Sequence, residues 1–328
     1  MTALLAVDIG GTKTLFQLSS KQGDVIAEQS FASQQYETFD LVLTEFLSQD
    51  QVKSVAIDAA CFAVAGPVTG KQGYVTNLPW QLDADVLANK FSINHVQLCN
   101  DFAAVGYGIS CLADDEIVTL QQGEQDLTAP MAVIGAGTGL GQALIFPEND
   151  GWKVVATEGG HVDFAPTDRK QLLLLEHMME RFGHVSYERI VSGVGLVTIY
   201  DFLRAYQQQD EDPNLRKSMI DGDPGQAISQ FALQQNDPLA LEALDLFIKI
   251  YGAQAGNLAL SVIPRAGLYI AGGIAAKNIE RFQQAGFMDA FLAKGKMQAL
   301  VAKIPVHVIT QPKVGLLGAR LLAQQSTL

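Results

Sequence analysis

Apolar positions in this chain fall into short runs, separated by glycine turns and by stretches with helical spacing. Residues 4–7 form one apolar run and 15–18 another, a pair that brackets two glycines and turns again at 21–24. Phe39, Leu41, Val42, Phe46 and Leu47 recur at the spacing of one helix face and predict a helix there. Residues 52–65, rich in β-branched and small side chains, close at Gly66 and Pro67, as a buried strand followed by a turn would. Asp83 stands as N-cap to a helix over 84–91. Residues 95–99 predict the next strand and 102–112 the next helix.

The plan then restarts. After a polar connector at 121–130, residues 131–135 predict a strand, 135–141 a glycine-rich turn and 142–146 a return strand. Helical spacing dominates 170–261, broken by a polar loop at 207–223. A short strand at 267–271 ends in Gly272 and Gly273, followed by helices, a last strand at 304–309 and a final helix at 314–324. Two segments, AVDIGGTKTLFQL and VIGAGTGLGQALIF, share the order strand, glycine turn, return strand. Lying about a domain apart in 328 residues, they predict two related α/β lobes that face each other.

Composition narrows the partners. The chain carries 22 Lys and Arg against 35 Asp and Glu, a net charge of −13, with no compensating basic stripe. That balance opposes nucleic acid, whose binding depends on cations displacing counterions, and an anionic membrane surface. Cys61, Cys99 and Cys111 lack C-x-x-C spacing and read as reduced thiols, so a cysteine-based zinc site is not expected. The N-terminal apolar run has no basic segment before it and no cleavage signal, and the apolar stretch 246–263 is interrupted by Lys249, Gln254 and Asn257. A soluble cytoplasmic protein, with no membrane span, is the expectation.

Six groups of residues could carry chemistry. In Asp8, Ile9, Gly10, Gly11 and Thr12, two glycines allow backbone N–H groups to approach a phosphate, and Asp8 could hold a hydrated Mg²⁺; a tight hairpin with a capping aspartate is the plainer alternative. Residues 135–141 (GAGTGLG) have a dinucleotide-like glycine spacing but lead into a strand, not a helix. They read better as a second phosphate loop containing Gly137 and Thr138. Gly272 and Gly273 leave room for a flat adenine or ribose, or simply turn the chain. Asn100 and Asp101 sit at the carboxyl end of a strand, where open α/β sheets place ligands. Asp101 could take a proton from a substrate hydroxyl, or either residue could cap the following helix. Glu158, Gly159, Gly160, His161, Val162 and Asp163 bring donors and acceptors into a tight loop without the ligand spacing of a zinc site. Ser186 looks like an N-cap, with Glu188 in the first helical turn.

In order, VDIGGTKT, VTNLPW, LCNDFAAVGYGI, IGAGTGLG, EGGHVDFAPTD, ERIVSGVGL and YIAGGI resemble the sugar-kinase branch of the actin-like ATPase superfamily, specifically bacterial glucokinases. The resemblance implies an α/β fold of two actin-like ATPase (ribonuclease H-like) lobes with a cleft between them. It places residues 1–115 and 302–328 in a small lobe and 116–301 in a large lobe with additional helices. It implies phosphorylation of D-glucose at its 6-hydroxyl by ATP with Mg²⁺, the entry step of glycolysis, and leaves a homodimer open. Asp101 would be the general base, and Asn77, Asn100, Glu158, His161 and Glu188 would join it in binding the sugar. ATP would lie on Asp8, Ile9, Gly10, Gly11, Thr12, Gly137, Thr138, Gly272 and Gly273, with Asp8 reaching Mg²⁺ through water. The opening VDIGGTK is closer to the related repressor/open-reading-frame/kinase (ROK) group, whose cysteine-rich zinc motif this chain lacks. A kinase of mannose or an N-acetylated hexosamine on the same scaffold is the alternative. A sugar sensor would need a basic helix-turn-helix, for which the first strand leaves no room.

Overall fold

The computed structural model describes residues 2–149, 151–284 and 286–327. The chain divides into two compact units. The first holds residues through Asp114, the stretch Val154–Ala156 and everything from Lys313; the second holds Asp115–Lys153 and Thr157–Pro312.

In the first unit, strands β1 (Thr2–Ile9), β2 (Lys13–Ser20), β3 (Val25–Ala32), β4 (Ala56–Val64) and β8 (His95–Asn100) form a sheet of order β3-β2-β1-β4-β8. β1 and β2 are an antiparallel hairpin, while β4 and β8 run parallel to β1 and to each other. Both faces of β1 are buried, which is why its apolar run is continuous. Leu5 and Val7 join Phe16, Phe39, Phe46 and Phe62 on one face, beneath helices α1 (Phe39–Leu47) and α2 (Ala84–Phe91). Leu4 and Ala6 face Ala104, Leu316 and Ala319 on the other, from helix α3 (Asp101–Gly108) and the C-terminal helix Val314–Gln325. Between β4 and α2 lies a small sheet of β5 (Val68–Thr69), β6 (Gln72–Tyr74) and β7 (Gln81–Asp83). Asp83 caps α2 as its position predicts, accepting from the N–H groups of Asp85 and Val86.

The second unit repeats the plan. Its sheet, β12-β11-β10-β13-β14-β9, has the hairpin β10 (Met131–Ala136) and β11 (Leu140–Glu148) beside parallel β13 (Gly267–Ala271) and β14 (Val306–Ile309). Strands β9 (Ile117–Gln121) and β12 (Gly151–Thr157) form its edges. Because β14 pairs with both β13 and β9, residues 302–312 stay in this unit and the chain returns to the first at Lys313, not at 302. Helices α4 (Arg169–Phe182), α5 (Gly193–Gln207), α6 (Pro213–Asp221), α7 (Pro224–Gln230) and α8 (Pro238–Val262) follow, then the short α9 (Gly273–Lys277), α10 (Ile279–Gln284), α11 (Phe287–Leu292) and α12 (Gln298–Val301).

Three further expectations need correction. The polar stretch 207–223 is not all loop, since Asp212 caps α6 and Pro213 opens it. The helix expected over 102–112 starts at Asp101, ends at Gly108 and passes into a 3₁₀ turn, Ile109–Cys111. Ser186 caps nothing: it forms a β-bridge with Asp163, and Ser192 caps α5. The interrupted apolar stretch at 246–263 falls almost wholly within α8, which buries residues on every side, including the consecutive Tyr251, Gly252, Ala253 and Gln254. Among the described residues, no helix is long and apolar enough to cross a membrane.

Candidate active site

The first glycine turn joins β1 to β2. Gly10 N–H bonds to Lys13 O (2.9 Å), and Ser33 braces the turn, its Oγ donating to Gly10 O (2.7 Å) and its N–H to Thr12 O (3.0 Å). A Cβ on Gly10 would lie 3.0 Å from Lys13 O, and one on Gly11 3.2 Å from Thr76 O. Ile9 is fully buried and its carbonyl accepts from Ala65 N–H, so its side chain belongs to the core. Asp8, half-buried at the end of β1, has its pKa pushed up to about 6 by desolvation, with Lys13 opposing.

That shift has a stability consequence. From about pH 4 to pH 6 the folded chain holds a proton that the unfolded chain releases, so without bound cation stability falls as pH rises through this window and levels off above it. Asp8→Asn should remove this slope and be up to about 3 kcal/mol more stable at pH 7, the free energy of raising one carboxyl pKa from its ordinary value to about 6. Thermal melting of both proteins from about pH 4 to 8 checks this. Parallel profiles would mean that burial does not hold the proton.

At the end of β8, Asn100 is the N-cap of α3. Its Oδ1 accepts from Phe102 N–H (2.9 Å) and Ala103 N–H (3.2 Å), and its Nδ2 donates to Gly66 O (3.0 Å). Capping and orientation thus coexist in one side chain. Asp101, half-buried in the first turn, accepts from Phe102 N–H through Oδ1 (3.0 Å). Gly66 has φ 155°, and a Cβ there would come within 2.1 Å of Tyr74 O, so this loop tolerates only glycine. It carries Thr76 and Asn77 against Gly11, with Asn77 exposed in the left-handed region at φ 69°. Asn77, Asn100 and the first glycine turn are therefore linked through one loop.

In the second unit, Glu188 converges on Glu158 and His161, three residues apart on one turn, from a segment well beyond them in sequence. His161 Nε2 is 3.9 Å from Glu158 Oε2, and its Nδ1 is 3.8 Å from Glu188 Oε1. These separations exceed hydrogen-bond length, so the three groups do not consume one another's capacity. Glu158 and His161 are exposed, on a 3₁₀ turn folded down onto β11. A Cβ on Gly160 would lie 1.9 Å from Leu140 O, which fixes the need for glycine there. Glu188 N–H donates to Gly160 O (2.9 Å), and Glu188 Oε2 accepts from Leu140 N–H (3.0 Å). Among the described residues, no group of three His, Cys, Asp or Glu side chains could hold a metal ion.

The second glycine turn opens on a cavity of about 710 Å³, a size suited to a nucleotide. Gly137, Thr138 and Gly273 line it. A Cβ on Gly137 or Gly273 would meet nothing within 4 Å, whereas Gly272 (φ 88°) turns beneath, where a Cβ would lie 2.3 Å from Ala136 O. Sequence reasoning missed the opposite wall, built by Gly193 and by Asp223 to Gln226. There Gly225 packs so that a Cβ would lie 3.0 Å from Gly193 O, and Gly193 N–H bonds to Gly137 O (2.9 Å). The signal was the Ser-Gly and Pro-Gly pairs at two helix starts, which look like ordinary caps.

Residues 5–326 match the Glucokinase family. A glucokinase of Nostoc sp. (strain PCC 7120 / SAG 25.82 / UTEX 2576) is 43% identical over 340 residues, spanning 98% of this chain and 99% of its own. The crystal structure of a glucokinase from an Antarctic psychrotroph aligns at TM-score 0.79 and 28% identity, over 98% of this chain and 99% of that one. A ROK family glucokinase from Streptomyces griseus, solved with glucose and AMPPNP, shares the fold at TM-score 0.68 and 20% identity, over 98% and 99% of the two chains. Both units follow the actin-like ATPase plan that these neighbours share. The chain belongs to the glucokinase family.

Proposed function

We propose that the protein transfers the terminal phosphoryl group of ATP to the 6-hydroxyl of D-glucose. The observation that carries this reading is the 43% identity to a glucokinase over nearly the whole of both chains. The convergence of Glu158, His161 and Glu188 supports the sugar half, because a site built from acceptors discriminates strongly for hydroxyls. The nucleotide-sized cavity and the neighbour solved with an ATP analogue support the donor half.

In this mechanism Asp101 accepts the proton of the 6-hydroxyl as O6 bonds to the γ-phosphorus and the bond from that phosphorus to the bridging oxygen of ADP breaks. Phosphoryl transfer depends chiefly on positioning and charge stabilisation. Asn77, Asn100, Glu158, His161 and Glu188 hold the remaining hydroxyls. The backbone of Gly10, Gly11 and Thr12, with Gly137 and Thr138, takes the phosphates, and Gly272 and Gly273 accommodate the nucleoside. A Mg²⁺ bound with ATP supplies charge neutralisation at the phosphates. Asp8 fits it: a carboxylate pushed up to about 6 by burial gains from a nearby cation, and water-mediated contact suits an ion that dehydrates reluctantly. Three free cysteines support a cytoplasmic setting.

ADP release measured with ATP, Mg²⁺ and a panel of glucose, mannose and N-acetylglucosamine tests the reading. Turnover should be highest with glucose. No ADP above background with glucose, alongside turnover of another hexose, would overturn it in favour of that sugar.

A further inference from the structure

Tyr187 immediately precedes Glu188, and its buried ring stands edge-on to Phe164 (centroids 5.5 Å apart). Its N–H donates to Val162 O (3.0 Å), so Tyr187 and Glu188 together tie their segment to the loop that carries His161. The Tyr187 hydroxyl in turn accepts from Asn257 Nδ2 (3.1 Å) on α8. Asn257 Oδ1 accepts from Lys294 Nζ (2.7 Å), which also donates to Ala253 O (2.8 Å). An ammonium has donors only, so the Asn257 amide oxygen must face Lys294. Its NH₂ group is thereby directed to Tyr187 Oη and to Gln254 Oε1 (3.2 Å). One charge fixes the orientation of the whole chain of bonds.

The lysine's place is made for it. A Cβ on Gly256 would lie 2.4 Å from Lys294 Cε, so the glycine clears the path of the stem. Burial holds the Lys294 pKa below the usual lysine value. Keeping an ammonium in such surroundings is costly unless its bonds do something that an apolar side chain could not.

The geometry points to Lys294 as a positioning residue for hexose binding, acting through Asn257 and Tyr187 on Glu188 and the His161 loop. Lys294 sets the Asn257 amide, Asn257 anchors the Tyr187 hydroxyl, and Tyr187 holds the two segments whose side chains meet the sugar. This rests on the reading of Glu158, His161 and Glu188 as hexose ligands.

Lys294→Met and Tyr187→Phe keep most of the apolar volume and break the chain at its two ends. Each should raise the KM for glucose, and the Kd for glucose measured by calorimetry, about tenfold, the size of one lost hydrogen bond. The KM for ATP should change by less than about twofold, and the double variant should be little worse than either single one, since both cut the same path. Equal shifts in the two KM values, unchanged glucose affinity, or fully additive effects would overturn the inference and leave a merely structural network. If Lys294→Met does not fold, Tyr187→Phe, which keeps its ring against Phe164, decides alone. A wild-type enzyme that binds no glucose would instead remove the functional reading, so the two failures are distinguishable.

Discussion

Asp101→Ala is expected to bind glucose nearly as well as the wild type and to lose on the order of 10²–10⁴ in kcat, the usual range for a missing general base. The structure explains why the fold should survive the change. The cap of α3 is made by Asn100, whose Oδ1 takes two of the orphan N–H groups, so removing the Asp101 carboxylate leaves that cap in place while taking away a contact with Phe102 N–H and a first-turn negative charge. Losing that charge costs about 0.3–1 kcal/mol. A strand that ends in a capped helix also holds Asp101 at a fixed height on the sheet, because Asn100 is bonded both to the helix and to Gly66 O. Steady-state kinetics paired with calorimetric titration of glucose separates turnover from binding. Near wild-type turnover in a folded Asp101→Ala protein would remove the base from the mechanism.

How far the sequence disclosed this site varies with what each residue answers to. Asn100 and Asp101 were legible because β8 carries Val96, Leu98 and Cys99 and two polar residues then stand where the strand gives way to a helix. The glycine turns were legible for a related reason: backbone approach excludes a Cβ at Gly160 and Gly272 and crowds one at Gly10, a demand that glycine meets best. The meeting of His161 with Glu188 was not legible from spacing, since it depends on Glu188 N–H reaching Gly160 O across two loops; resemblance alone placed both on the sugar. Ser186 shows the opposite failure. A serine before an acidic residue imitates a cap, but its backbone is taken by a tertiary bridge with Asp163. Strand β3 escaped notice because it is an edge strand, largely exposed, with Glu28, Gln29 and Ser30 in its middle. The polar stretch that contains α6 is likewise helical through its Asp-Pro start and two buried anchors, Leu215 and Met219, too few to show a period.

Gly318→Ala should be the most destabilising single methyl in the first unit, at about 3 kcal/mol or more, the upper end for an overpacked core. A Cβ at that position would lie 1.8 Å from Ala104 O and 2.7 Å from Gly108 N. The opposing glycine is equally constrained, since a Cβ on Gly108 would lie 2.0 Å from Val314 O. Helix α3 and the C-terminal helix therefore touch backbone to backbone. No rotamer change can relieve the overlap, because every atom involved is main chain, and the helices have to part by well over an ångström. The same methyl at Gly151, where nothing lies within 4 Å, should be nearly neutral and serves as the control. Thermal melting compares the two. Because α3 begins at Asp101, the Gly318→Ala protein, assayed below its melting temperature, should also lose more in kcat than in its affinity for ATP. If Gly318→Ala melts with Gly151→Ala, the two helices have slack that their backbone contact denies. If it melts early yet turns over normally, the packing of α3 supports the fold without setting the position of its first carboxylate.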